Sequence, residues 1–275
     1  MIRRLQPTFL VFGALGGLLL VNLVLPIVNL FVHADSAAWL ASLRAQDAGD
    51  ALATSALSST IAVVIMTLLG VPLGYLLARG RIPFTRFWIG LVFLPMVVPD
   101  LAGGILLLQT FGPYGTIGHP LAAWNLELTN NLAGIVLAQL FVSAPFVVVS
   151  ALAAFAAIDP KLEMAAATLG DSQWHIFWRV SLPLAWSGIA AGITLAWIRA
   201  LGEFGATLVL AYNPHALPVY MWVKFESNGL TGALPVAFLL VVLAGGAVAV
   251  SALLSRLSGY RDTSAVLGET YGRPR

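Results

Sequence analysis

The chain has 275 residues, of which 59% are hydrophobic and 9% charged, with a formal net charge of +2. A soluble domain carries roughly a quarter charged residues, so this chain lacks the polar surface to face water and takes lipid as its solvent. The absence of cysteine excludes disulfides and thiolate metal sites, and basic residues lying between apolar runs mark membrane topology, not nucleic-acid binding.

In chain order, Arg3 and Arg4 precede an apolar run from Thr8 to Val32, and "VHA" at 32–34 resembles a signal cleavage site. The run is far longer than the roughly 7–15 apolar residues of a signal peptide. It predicts a retained first helix over 8–32. Further spans are predicted at about 56–78, 87–110, 132–157, 181–204 and 233–255. The short alternating runs of a membrane barrel are missing. Gly70 and Gly74 in the second span, and Gly188 and Gly192 in the fifth, have the spacing of close helix contacts, expected within one subunit. Pro26, Pro72, Pro95, Pro99 and Pro145 lie in or near spans and predict kinks. Asp100 follows Pro99 inside the third span. It is either a pore or helix-contact residue, or the occupant of a wet pocket opened by the broken helix.

The loop at 158–180 is unusually ordered by its sequence. Asp159 suits a helix N-cap, Pro160 the first helical position, and Glu163 the dipole of the first turn. Gly170 is a stop signal, and Leu162, Ala165, Ala166 and Leu169 fall on one helical face. Asp171 or Ser172 caps a second short helix, and Leu182-Pro183 opens span five. Taken alone, these residues also fit an amphipathic helix lying on lipid headgroups. Trp174 and Trp178 fit an interfacial belt, and His175 an interfacial side chain.

At the far end of span five, "RALGEFGAT" places Arg199 and Glu203 four residues apart in an apolar helix. Arg199 lies 18 residues past Ser181, roughly 27 Å along a helix, so the pair belongs near the far edge of the bilayer core. Gly202 and Gly205 are expected to let neighbouring helices approach. With the N-terminus cytoplasmic, eleven Lys and Arg fall inside and only Arg44 and Lys224 outside, with Arg199 within a span. That bias predicts both termini in the cytoplasm. His33, His119, His175 and His215 sit in separate segments with no metal-ligand spacing.

The loop resembles the coupling loop of binding-protein-dependent ABC importers: Glu-Ala-Ala, three residues, Gly, nine residues, then Ile-x-Leu-Pro. Ala165, Ala166, Gly170, Leu182 and Pro183 match, and Val180 stands for the Ile. Met164 occupies the Glu position, with Glu163 one residue earlier. "LGVPLGYLLARGRIPF" (69–84), "LPMVVPDLAGGILLL" (94–108), "AGIVLAQLFVSAPF" (133–146) and "RALGEFGATLVLAYNP" (199–214) are similar to the sulfate, molybdate and tungstate permeases. The stretch from 211 to 237 resembles the archaeal-type molybdate/tungstate branch.

The resemblance implies an all-α, six-span permease of the type I importer class. It implies a homodimer, two cytoplasmic ATP-binding cassette subunits holding ATP and magnesium, and an extracytoplasmic oxyanion-binding protein. The ATPase is then a separate chain. Only Lys161 and Lys224 are present, and neither ends a phosphate-binding G-x-x-x-x-G-K-[ST] run. The implied ATPase-coupling residues are Leu162, Glu163, Ala165, Ala166, Leu169, Gly170, Leu182 and Pro183. The implied gate residues are Asp100, Arg199, Gly202, Glu203, Phe204 and Gly205, with 205–232 forming part of the gate or the binding-protein dock. A sulfate or thiosulfate permease is the nearest alternative. An ion-coupled secondary transporter would need midplane carboxylates, for which only Asp100 and Glu203 qualify. An intramembrane enzyme lacks any catalytic dyad, and a purely structural subunit would show no substrate-dependent ATPase activity.

Overall fold

Backbone groups in lipid must be paired within their own segment, and the apolar runs accordingly form helices. The computed structural model describes residues 7–32, 39–40 and 44–257. Arg3, Arg4, His33, Arg261, Arg273 and Arg275, and with them part of the orientation argument and most of "VHA", lie outside the described residues. The elements are α1 (Pro7–Val32), α2 (Gln46–Ala78), α3 (Thr85–Val97), α4 (Asp100–Phe111), α5 (Gly118–Ala122), α6 (Leu132–Ala156), α7 (Pro160–Thr168), α8 (Gln173–Ile176), a π turn (Phe177–Ser181), α9 (Leu182–Leu201), α10 (Gly205–Leu210) and α11 (Leu217–Leu257). Five helices among the described residues are long and apolar enough to cross a bilayer, or six if the bent pair Thr85–Val97 and Asp100–Phe111 is one span.

The centre of the bundle is α6, flanked by α2 and α9. Met66, Tyr75, Val147, Phe155, Ile189 and Ala196 from these three helices form one buried cluster. Glycine sets the spacing. A Cβ at Gly74 would lie 2.7 Å from the Ala151 Cβ, and one at Gly188 would lie 2.8 Å from the Ala154 Cβ. Both glycine pairs of the sequence therefore pack against α6 within one chain. By contrast, the window Val11–Val32 of α1 has no buried residue, and its Phe31 ring meets Phe238 of α11 at 5.0 Å.

Three spans differ from the sequence expectation. Helix α2 starts at Gln46, ten residues before the expected 56. The run 87–110 is not one continuous helix: the chain bends by 112° between α3 and α4. Val98, the residue before Pro99, takes an extended conformation (φ −71°, ψ 126°), as a pre-proline residue prefers, and this ends α3. The last span begins earlier than 233. Helix α11 starts at Leu217 and turns back at Gly229 (φ 64°, ψ −153°), a conformation open essentially to glycine alone. A Cβ at Gly232 would lie 2.8 Å from the Lys224 carbonyl oxygen. Eight residues of straight helix would separate these positions by about 12 Å. Leu217 and Tyr220 before the turn, and Val236 after it, join one cluster with Ala48 and Ala51 of α2. The hydropathy run breaks at Lys224 and Glu226, so the first arm of this hairpin reads as loop in the sequence. Replacing Gly229 with Ala is expected to cost about 1–3 kcal/mol and to lower the thermal midpoint in detergent.

Candidate functional site

Two polar constellations interrupt the apolar bundle, one at each end of α9. The first builds the loop between α6 and α9. Asp159 accepts from Lys161 N at 2.9 Å, which caps α7 behind Pro160. The helix ends in a Schellman arrangement: Asp171 N donates to Ala166 O at 3.2 Å and Gly170 N to Ala167 O at 3.1 Å. Gly170 takes φ +92°, which favours glycine. Ser172 caps α8 by accepting from His175 N at 3.4 Å.

Glu163 fastens this loop to the bundle. Its carboxylate accepts from Arg79 Nε at 3.0 Å on both oxygens and from Arg79 Nη2 at 2.8 Å. Ser181 Oγ, in the π turn, donates to the same carboxylate at 2.6 Å. Arg79 Nη1 also donates to Phe155 O at 3.0 Å, closing the end of α6. Both members of the ion pair have side chains only 9% exposed. Burial alone raises the Glu163 pKa. The hydrogen bonds from Arg79 and Ser181, with the charges of Arg79 and Arg81, outweigh that and hold it below the ordinary 4.5. Arg81 adds a second tie, donating to Gln173 Oε1 at 2.7 Å across to α8.

The loop helix therefore has two sides. Glu163 and Ala166 face the bundle, while Leu162, Ala165 and Leu169 are exposed, Leu169 by 87%. Ala166 does not share the exposure of Leu162, Ala165 and Leu169, with which the i, i+3, i+4, i+7 spacing groups it. Turned toward Glu163, it sits at the buried seam. Met164 is exposed, so the missing carboxylate at 164 takes nothing from the internal latch. Leu182 is half-buried at the start of α9, and Pro183 is exposed in its first turn. Nothing in the sequence assigns Arg79, Arg81 or Ser181 to this latch. Loop-edge arginines are common, and nothing in their spacing points at a residue 84 positions away.

The second constellation lies where α9 ends. Arg199 Nη1 donates to Glu203 Oε2 at 2.9 Å, and Nη2 donates to both oxygens of Asp100 at 2.7 Å. Glu203, with no exposed side-chain surface, also accepts from Ala206 N at 2.7 Å and so caps the start of α10. One guanidinium thus ties the end of α9, the start of α10 and, through Asp100, the break between α3 and α4. With both carboxylates ionised, the cluster has a formal charge of −1, a poor match for an anion. Gly205 makes the arrangement possible: a Cβ there would lie 2.7 Å from the Asp100 Cβ. At Gly202 a Cβ would meet only an ordinary 3.6 Å contact, so the close approach expected of it rests on Gly205. Phe204 packs against Trp222 of the α11 hairpin at 5.7 Å.

The model of the family described as binding-protein-dependent transport system inner membrane component matches residues 70–259, and the chain belongs to that family. It is a transporter permease subunit and not an enzyme. The chain is 44% identical over 238 residues to a probable molybdenum ABC transporter permease protein of Haloferax volcanii, covering 85% of this chain and 86% of the relative. It is 37% identical over 245 residues to the molybdate/tungstate transport system permease protein of Thermococcus kodakarensis, covering 88% and 94%. Among solved structures it is similar to a bacterial alginate ABC transporter in complex with its pentasaccharide-bound periplasmic protein, with a TM-score of 0.66 at 16% identity, covering 94% of this chain and 98% of that one. The last likeness concerns the fold.

Proposed function

We propose that this chain is the permease of a molybdate/tungstate importer, passing the oxyanion across the cell membrane as a homodimer with both termini in the cytoplasm. Two ATPase subunits, holding ATP and magnesium, sit against the coupling loop, and an oxyanion-binding protein docks on the opposite face. The observation that carries this reading is the two-sided loop helix. Its inner side is latched to the bundle by Glu163 and Arg79, and its outer side presents Leu162 and Leu169 to a groove on another protein. The relatives named for molybdenum and tungsten support the substrate class. Sulfate shares the shape and charge of these anions and is the second reading.

Because Ala166 is buried, the association surface is better probed at Leu169. Leu169→Asp changes an exposed position and is expected to leave folding intact while weakening ATPase co-purification about tenfold, or roughly 1.4 kcal/mol. At the other end, Asp100, Arg199, Glu203 and Gly205 hold the extracytoplasmic gate closed without presenting an uncompensated positive charge to the anion. Uptake of labelled molybdate into vesicles, competed by tungstate and by sulfate, tests the substrate. Competition by tungstate alone is expected, and stronger competition by sulfate would overturn the assignment in favour of a sulfate permease.

A further inference from the structure

The gate segment is bounded by Ala200 and Leu217, and both bounds are hydrogen-bonded to buried side chains that converge on one stretch of α2. Leu217 N donates to Ser55 Oγ at 2.7 Å. Gln139 Nε2, from α6, donates to Ala200 O and to Ser58 Oγ, each at 3.1 Å. Trp197 Nε1 donates to Ser59 Oγ at 3.1 Å, one turn before Ala200. Ser55, Ser58, Ser59 and Gln139 are all 0–1% exposed. Polar groups this deep in an apolar bundle are costly unless paired, and pairing fixes the geometry of whatever they hold. Ser55 and Ser59 directly, and Ser58 through Gln139, thus hold Leu217, Trp197 and Ala200, the flanks of the segment that carries Glu203, Gly205 and α10.

At its other end the same helix carries Arg79, latched to Glu163 of the loop helix. Ser55 lies 24 residues before Arg79, the C-cap of this helix, about 36 Å along its length. We propose that Ser55, Ser58 and Gln139 are positioning residues of the gate, and that α2 carries displacement of the coupling loop to them. Both bounds of the gate segment then move with α2, while α10 and the Asp100–Arg199 pair bridge to α4, where Gly104 and Leu107 pack against Ala206 and Leu210. An α2 shift therefore loads the seam between α10 and α4, where that pair and Gly205 sit. This rests on the proposed importer function.

The test uses the full transporter, permease with ATPase and binding protein, in vesicles. The permease has no native cysteine, so Thr207→Cys, a buried site on α10, reports gate opening through a membrane-impermeant maleimide. A cysteine-free permease with the same partners supplies the background. In the wild-type chain, labelling should change with nucleotide. In Ser55→Ala/Ser58→Ala, ATPase turnover is expected to stay within about twofold, while anion transported per ATP falls at least about fivefold and labelling loses its response to nucleotide. Gln139→Leu, which fills its site without hydrogen bonds, should behave alike, and Ser58→Thr, which keeps the hydroxyl, should restore the response. Unchanged nucleotide response in both the double variant and Gln139→Leu would overturn the proposal, as would parallel loss of ATPase and transport with labelling intact. If the wild-type complex itself hydrolyses ATP with no response to molybdate, tungstate or sulfate, the functional reading has failed instead.

Discussion

Arg79→Met is expected to uncouple the loop helix from the bundle and to destabilise the folded permease by about 3–5 kcal/mol, the range for a buried ion pair that loses one partner. Glu163 would remain at 9% exposure with only Ser181 as donor, while Phe155 O at the end of α6 would lose its guanidinium. Glu163→Gln should cost less, because a neutral amide can still accept from Ser181 and Arg79. Thermal midpoints of the purified permease, with ATPase co-elution, give the ranking. The pH dependence carries a definite sign. The Glu163 pKa is depressed in the fold, so its contribution is fully present above the unfolded value near 4.5 and is lost as pH falls through the lower folded value. Wild-type loop docking should therefore persist at neutral pH and weaken only in acid below about 4.5. Glu163→Gln should remove that acid-dependent loss. A variant midpoint that tracks wild type across the same acid range would show that the latch does not involve the ionised carboxylate.

Arg199→Met is expected to have the second large effect, again about 3–5 kcal/mol, because Glu203 has no exposed side-chain surface and would keep only Ala206 N. Asp100, with a side chain 43% exposed, tolerates loss of the pair better. Asp100→Asn should cost at most about 1 kcal/mol. The three-membered cluster also alters what a charge reversal tests. An isolated pair at 199 and 203 would be restored by R199E/E203R. Here that double variant sets a carboxylate against Asp100 and should not rescue either single variant in transport. Rescue would mean that the Asp100 contact is dispensable. Arg199→Lys keeps the charge but not the fork that meets both Asp100 oxygens, so it should lie between wild type and Arg199→Met.

Much of the bundle is legible in the sequence because lipid imposes a simple rule: apolar runs of spanning length become helices. The ends of α7 are legible for the same kind of local reason. Asp159, Pro160 and Gly170 each satisfy a backbone requirement within their own turn. What escapes is whatever depends on partners far along the chain. Arg79 meets Glu163 across 84 positions and Arg199 meets Asp100 across 99, and no periodicity encodes either contact. Ala166 shows the limit of a helical wheel: its spacing fits the exposed face, but the Glu163 latch rotates it into the seam. The hairpin at Gly229 is hidden because Lys224 and Glu226 end the apolar run, whereas the chain continues as helix to Asn228 before reversing.

We read the chain as an oxyanion permease driven through its loop helix by ATP hydrolysed on another subunit. The most direct measurement is uptake of labelled molybdate into vesicles containing the permease, ATPase and binding protein, with and without ATP inside the ATPase compartment and with ion gradients collapsed. Uptake is expected to require ATP and the ATPase, to survive collapse of proton and sodium gradients, and to be lost in Arg79→Met. Uptake that proceeds without the ATPase and follows an imposed ion gradient would contradict it.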